Sequence, residues 1–180
     1  MSYLNKRDNA SPAPSDKTGR WLGRLIELSL LIIGFVALSS WLGSHLLDDG
    51  SQIPELSLPQ LNSVETGELS WPAAEEKTLV YFFAPWCSMC RISMPGLNLL
   101  TDKNLRVVAI AQDWQESAEV EEFTNDVGFD GEVLLGDANT LELFRVQGYP
   151  SYYVLDQNGR VIHQDQGVST PPGLWIRTWL

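Results

Sequence analysis

The sequence predicts an α/β fold, a central mixed sheet flanked by helices, preceded by one N-terminal transmembrane helix. Three observations carry this reading. Thr78 to Ala84 and Leu105 to Ala111 are β-rich and nearly continuously apolar, the pattern of strands buried on both faces. Helical segments alternate with strands, and the chain then turns through Asp156-Gln157-Asn158-Gly159, whose Asn-Gly is a strong hairpin signal. Ahead of both lies a long apolar stretch near the N-terminus.

Residues 1–20 are polar, carry Ser11-Pro12-Ala13-Pro14, and read as a disordered cytoplasmic tail. Residues 21–47 read as a transmembrane signal anchor. From Leu28 onward only His45 can carry charge, and at about 1.5 Å per residue the run from Leu25 to Leu47 reaches across a hydrocarbon layer of about 30 Å. Trp21 and Trp41 lie toward its ends, where indole rings favour the interface. Lys6, Arg7, Lys17, Arg20 and Arg24 precede the span, against Asp8 and Asp16, while Asp48 and Asp49 follow it. The positive-inside rule then gives a single pass through the inner membrane, N-terminus cytoplasmic, with everything after Asp48 periplasmic. Ala37-Leu38-Ser39 resembles a cleavage site and leaves a cleaved signal peptide as the rival reading.

Residues 48–53 read as a linker and 54–180 as the globular domain. Leu56, Leu58 and Leu61 suggest a first strand, 64–68 a turn, and Leu69 with Trp71 the return. Ser88 to about Asp102 is helical, with Met89, Ile92, Leu97 and Leu100 as inward positions; Ser117 to Val127 is a second, amphipathic helix. Val133 to Leu135 is strand-like, and Ala138 to Val146 is helical with Asp137 as its cap. Ser151–Leu155 and Arg160–His163 flank the hairpin turn, and Pro171 to Leu180 forms a closing helix.

From Asp48 onward the chain holds 7 Lys or Arg against 20 Asp or Glu, the wrong sign for phosphate contact, so no nucleic-acid partner is expected. The chain has only two cysteines, in Trp86-Cys87-Ser88-Met89-Cys90. Two thiols on the first turn of a helix can close and reopen a disulfide. The thiolate is the working nucleophile, and helix N-terminal amides stabilise it on Cys87, which sits where strand hands over to helix. Cys90, one turn on, is placed to resolve the mixed disulfide. Protein thiols and disulfides are therefore the expected partners. No nucleotide, haem or flavin motif occurs, so no organic cofactor is expected.

The run from Phe82 to Cys90 resembles the thioredoxin superfamily, and Pro95 matches the proline that kinks that family's active-site helix. The run from Phe144 to Val154, with Gly148-Tyr149-Pro150-Ser151, resembles its segment built around a cis proline. The resemblance covers roughly 54–180 and implies a thioredoxin-like fold, a redox disulfide Cys87–Cys90, Trp86 as a lid over the pair, and Tyr149 with a cis Pro150 as the substrate-side wall. The anchor and the Pro54 to Leu61 opening look like the exported TlpA/ResA-like group, and the ending from Gly167 to Trp179 looks like the ScsD-type branch associated with suppression of copper sensitivity. An anchored member of such a group is either re-reduced by a membrane electron-transfer donor or oxidises its substrates, and the sequence leaves both directions open. The sequence departs from the family twice: Tyr81 replaces a buried acid six residues before the first cysteine, and Ser93 replaces a glutamate of several cytochrome c maturation members.

Other readings compete. An inert structural disulfide would close so small a loop that it constrains little of the unfolded chain. Zinc wants more ligands than the pair offers, with no second Cys-x-x-Cys, so no metal site is assigned. Copper(I) handling is the alternative function, since two thiolates and the Met89 thioether are soft ligands. His163 reads as an ordinary surface or sheet residue, and Trp114 with Asp113, Glu116 and Glu119 as a solvated loop and helix face.

Overall fold

The structure, a computed structural model, describes residues 17–43, 45–63, 66–100 and 104–167. Of the tail expected at 1–20, residues 1–16 lie outside the described residues and residues 17–20 are helical, the first turn of a long helix. The closing helix expected at 171–180 also lies outside the described residues. The chain divides into two compact units, Met1–Trp41 and Leu42–Leu180.

In the first unit, helix α1 (Lys17–Gly43) exposes Leu28, Leu30, Leu31, Ile32, Ile33 and Phe35. Among the described residues no helix is long and apolar enough to cross a membrane. This falls short of the span expected at 21–47, and its last residues explain part of the difference. Leu46 is buried in the second unit, and the Leu47 backbone N–H donates to the Tyr153 hydroxyl at 3.3 Å. Residues 48–53 likewise lie on the globular unit: Gly50 N–H donates to Val161 O at 2.7 Å, Ile53 N–H to Gly159 O at 2.8 Å, and the Ile53 side chain is buried.

The second unit is built on a five-stranded sheet of order β5-β4-β3-β6-β7. Strands β3 (Lys77–Phe83), β4 (Leu105–Ala111) and β5 (Glu132–Leu135) are parallel; β6 (Ser151–Asp156) and β7 (Val161–Gln166) join antiparallel. A separate hairpin pairs β1 (Leu56–Pro59) with β2 (Thr66–Leu69), so the expected strand and return exist. However, β1 stops short of Leu61, and the return starts earlier than read, on residues 66–68 of the expected turn, and ends before Trp71. The hairpin reaches β5 through a bridge between Gln60 and Leu134.

Because side chains alternate along a strand, β3 feeds two cores. Leu79, Tyr81 and Phe83 enter one, shared with both cysteines, Val120 and Phe123. Val80 and Phe82 enter the other, shared with Leu46, Leu58, Leu69 and Phe144. Burying each such residue contributes about 1.5–3 kcal/mol, which is why this strand reads as unbroken apolar sequence.

The helix expected from Ser88 to Asp102 is shorter. Helix α2 (Ser88–Ser93) gives way to a 3-10 stretch, Met94–Leu99. Pro95, at the start of that stretch, has no N–H for the helical ladder. Its inward face also differs: Cys90, Ser93, Met94, Leu97 and Leu100 are buried, while Met89 and Ile92 point to solvent. Helix α3 (Ser117–Val127) matches its expected bounds and closes on Gly128 in the left-handed conformation. Helix α4 (Ala138–Leu143) is capped by Asp137, as expected, but ends before Val146 because Arg145 takes a positive φ of 50°.

The β6–β7 turn needs its glycine. Gly159 has φ +77°, and a Cβ there would collide with the Trp71 indole.

Candidate active site

Ligands of parallel sheets collect at the carboxyl ends of the strands, where loops leave the sheet. Here β3 ends at Phe83 and leads through Ala84-Pro85-Trp86 to the cysteines, while β4 ends at Ala111 and leads to Asp113. Cys87 is the N-cap of α2: its backbone is extended (φ −78°, ψ 103°), and its Sγ accepts the Cys90 backbone N–H at 3.1 Å. The two cysteines form a disulfide, with Cα atoms 5.3 Å apart. Their exposure is unequal. Cys87 retains 4% and Cys90 none, so an attacking sulfur meets Cys87 first.

Trp86, 66% exposed, stands edge-on to Tyr149 with ring centroids 5.7 Å apart. Tyr149 packs against the cluster that holds both cysteines, and its bond to the buried Pro150 is cis. The expected residues Trp86, Cys87, Cys90 and Tyr149 are thus gathered, with Pro150 next in chain to Tyr149. The Tyr149 hydroxyl donates to the Asp113 carboxylate; burial first, then that charge, pushes its pKa well above the ordinary tyrosine value.

Asp113, read from sequence as part of a solvated loop, is exposed as expected, but it also holds Tyr149, a link the sequence reading missed. The loop is also anchored: Trp114 Nε1–H donates to Gly136 O at 3.1 Å, and Trp114 packs on the core. The available signal was position, since Asp113 is the second residue past the end of a buried parallel strand and has φ +50°. A cleft of about 450 Å³ opens from Pro85 and Trp86 past Asp113 to Arg91 and Phe123. Arg91 lies over the Phe123 ring at 4.9 Å and pairs with Asp126 at 3.0 Å.

Behind the disulfide the two departures noted in the sequence meet. Tyr81 Oη and Ser93 Oγ are 2.6 Å apart and buried, and burial pushes the Tyr81 pKa up to about 12 against the lowering effect of that hydrogen bond. His163 sits half-buried on β7 beside the Tyr152 ring, a sheet residue as read. Among the described residues no group of three or more His, Cys, Asp or Glu gathers to hold a metal ion.

The sequence profile of the Redoxin family matches residues 48–174. The chain belongs to the Redoxin family. This Redoxin chain is 31% identical over 129 residues to the thioredoxin-like protein YneN of Bacillus subtilis (strain 168), covering 69% of this chain and 74% of YneN. It is 29% identical over 126 residues to the thiol-disulfide oxidoreductase YkuV of the same organism, covering 58% of this chain and 82% of YkuV. Among solved structures, a Chlorobium tepidum protein provisionally assigned as the thiol:disulfide interchange protein DsbE superposes with a TM-score of 0.66 at 26% identity, over 74% of this chain and 96% of that one. Redoxin membership and this superposition agree with the thioredoxin-like sheet described above.

Proposed function

We infer that this chain is a thiol:disulfide oxidoreductase that exchanges disulfides with protein substrates through Cys87 and Cys90. The observation that carries the inference is the closed disulfide at the strand-to-helix junction, with Cys87 Sγ under the Cys90 amide. A substrate thiolate attacks Cys87 Sγ; the Cys87–Cys90 bond breaks and its electron pair leaves on Cys90 Sγ. A second substrate thiolate attacks the mixed disulfide, leaving the substrate oxidised and both cysteines reduced. Run backwards, Cys87 is the nucleophile and Cys90 the resolving thiol. The Cys90 N–H lies where it can stabilise the Cys87 thiolate in both directions. The Trp86 and Tyr149 rings, with cis Pro150, form the wall against which an extended substrate segment lies. YkuV, a thiol-disulfide oxidoreductase, and the Chlorobium tepidum protein, provisionally assigned as a thiol:disulfide interchange protein, support the same chemistry here.

The finer reading is a single-pass protein of the inner membrane, N-terminus cytoplasmic and catalytic domain periplasmic, of the TlpA/ResA-like group and its ScsD-type branch, served by a membrane electron donor. Its support is the apolar run from Leu25 to Leu47, the basic residues before it and the exposed apolar side chains of α1.

Cys87→Ser is expected to abolish insulin reduction, and Cys90→Ser to accumulate mixed disulfides visible on non-reducing gels. Full activity in the Cys87→Ser protein would overturn the assignment. The topology is tested in membranes from expressing cells: carbonate should leave the chain in the pellet, and thiol reagents that do not cross the membrane should label Cys87 after reduction. Release by carbonate refutes the anchor alone.

A further inference from the structure

Opening the disulfide leaves a charge in an unfavourable place. The electron pair of the Cys87–Cys90 bond departs on Cys90 Sγ, a residue with no exposed surface. An ionised group out of water is costly unless donors meet it. Among the described residues none of the buried polar side chains is a carboxylate, and the cluster around Cys90 is largely apolar, with Leu79, Phe83, Met94 and Leu97. The Tyr81–Ser93 hydroxyl pair interrupts it. Tyr81 belongs to the same cluster as Cys90, and Ser93 is the other buried residue of the six in α2, one turn beyond Cys90. Tyr152 also reaches this cluster, but its hydroxyl is committed to Asp165 at 3.1 Å.

We propose that Tyr81 and Ser93 are positioning residues for Cys90, forming a hydroxyl relay that turns onto the Cys90 sulfur when the disulfide opens. In the disulfide form the Ser93 hydroxyl donates to the Met89 carbonyl at 3.0 Å, which leaves Tyr81 as the donor to Ser93 Oγ. A serine hydroxyl hydrogen rotates freely. Helix positions three apart keep their Cβ atoms about 5–6 Å from each other, so the Cys90 side chain, once freed from the disulfide, and the rotated hydroxyl must turn toward each other to meet, which leaves the helix backbone in place. Tyr81 goes on donating from behind and polarises the Ser93 O–H. The pair surrenders no proton. Burial keeps the Tyr81 hydroxyl protonated across the working range, and the two protons that end on the cysteines are those lost by the substrate dithiol, exchanged through solvent.

The relay rests on the oxidoreductase reading, and the experiment separates the two. In the full-length chain, Ser93→Ala, Tyr81→Phe and Ser93→Thr are compared for the rate at which dithiothreitol opens the disulfide. The titration midpoint of Cys90 is then followed in each with Cys87→Ser added. Ser93→Ala is expected to slow opening about tenfold and to raise the Cys90 midpoint by about one pH unit, the effect of losing one hydrogen bond to a charged sulfur. Tyr81→Phe should shift both in the same direction by less, and Ser93→Thr, which keeps a hydroxyl, should restore both. A purely structural role would change the thermal midpoint and leave the Cys90 titration where it was. Folded Ser93→Ala and Tyr81→Phe proteins with wild-type opening rates and Cys90 midpoints would overturn the relay. A wild-type chain unable to exchange with insulin would overturn the oxidoreductase reading itself.

Discussion

Tyr149 joins three features of the site: its ring meets Trp86, its backbone precedes cis Pro150, and its hydroxyl holds Asp113 on the neighbouring loop. Removing that hydroxyl frees the β4 loop from the substrate wall without touching either sulfur. Tyr149→Phe is therefore expected to raise KM for a protein disulfide several-fold while the rate with a small disulfide stays near wild type; steady-state kinetics on insulin and on a small aromatic disulfide check it. Asp113→Ala should reproduce the change, because it removes the other end of the same bond. The wall of Trp86, Tyr149 and Pro150 was expected from sequence, but the bond to Asp113 was not. Asp113 and Tyr149 are far apart in the chain, and only the parallel packing of β3 and β4 brings the loop after Ala111 to the cysteines. The cysteines themselves were legible because their spacing and the preceding strand carry the chemistry locally.

At the level of elements, the strands buried on both faces were read almost to the residue, since continuous burial leaves continuous apolar sequence in β3 and β4. Helix α2 was misread in two ways: it was carried through Pro95, where the backbone changes to a 3-10 geometry, and its inward face was wrong before Pro95, at Met89 and Ile92, while Leu97 and Leu100 beyond it are buried as expected. Met89 and Ile92 are apolar yet exposed beside the disulfide, so composition alone pointed the wrong way. Helix α4 offers a cleaner test. Its cap is reciprocal: the Thr140 hydroxyl and N–H donate to Asp137 Oδ1 at 2.7 and 2.8 Å and hold that carboxyl below its ordinary range, while the Asp137 N–H donates to Thr140 Oγ1. Asp137→Ala should lower stability by about 1 kcal/mol in urea unfolding, and Asp137→Asn by less. In the β6–β7 turn, Gly159→Ala should cost more than a surface glycine substitution, because positive φ and the Trp71 ring oppose it together.

For the whole molecule, alkaline titration reads the sheet from inside. Burial raises Tyr81 and Tyr153 each to about 12, above the value near 10 of an unfolded chain. Below pH 10 both states hold these protons, so stability is level there. Between about 10 and 12 the unfolded chain ionises first, and stability falls as pH rises through that window. Circular dichroism at fixed urea should show the loss, and Tyr81→Phe and Tyr153→Phe should each flatten it. The second compact unit, Leu42–Leu180, carries both cores and the site. A chain lacking residues 1–41 is expected to keep its thermal midpoint and its activity on insulin. A chain shortened to residue 48 should lose stability, because Leu46 leaves the second core.

The open indole beside the cysteines has a further use. Two thirds of the Trp86 surface faces water, so a polypeptide settling over Cys87 must dry that ring, and its light emission should move to shorter wavelength as the encounter forms. Subtracting the spectrum of the Trp86→Phe protein isolates this signal from the other tryptophans. Arrival and departure of a client could then be timed before any bond is exchanged.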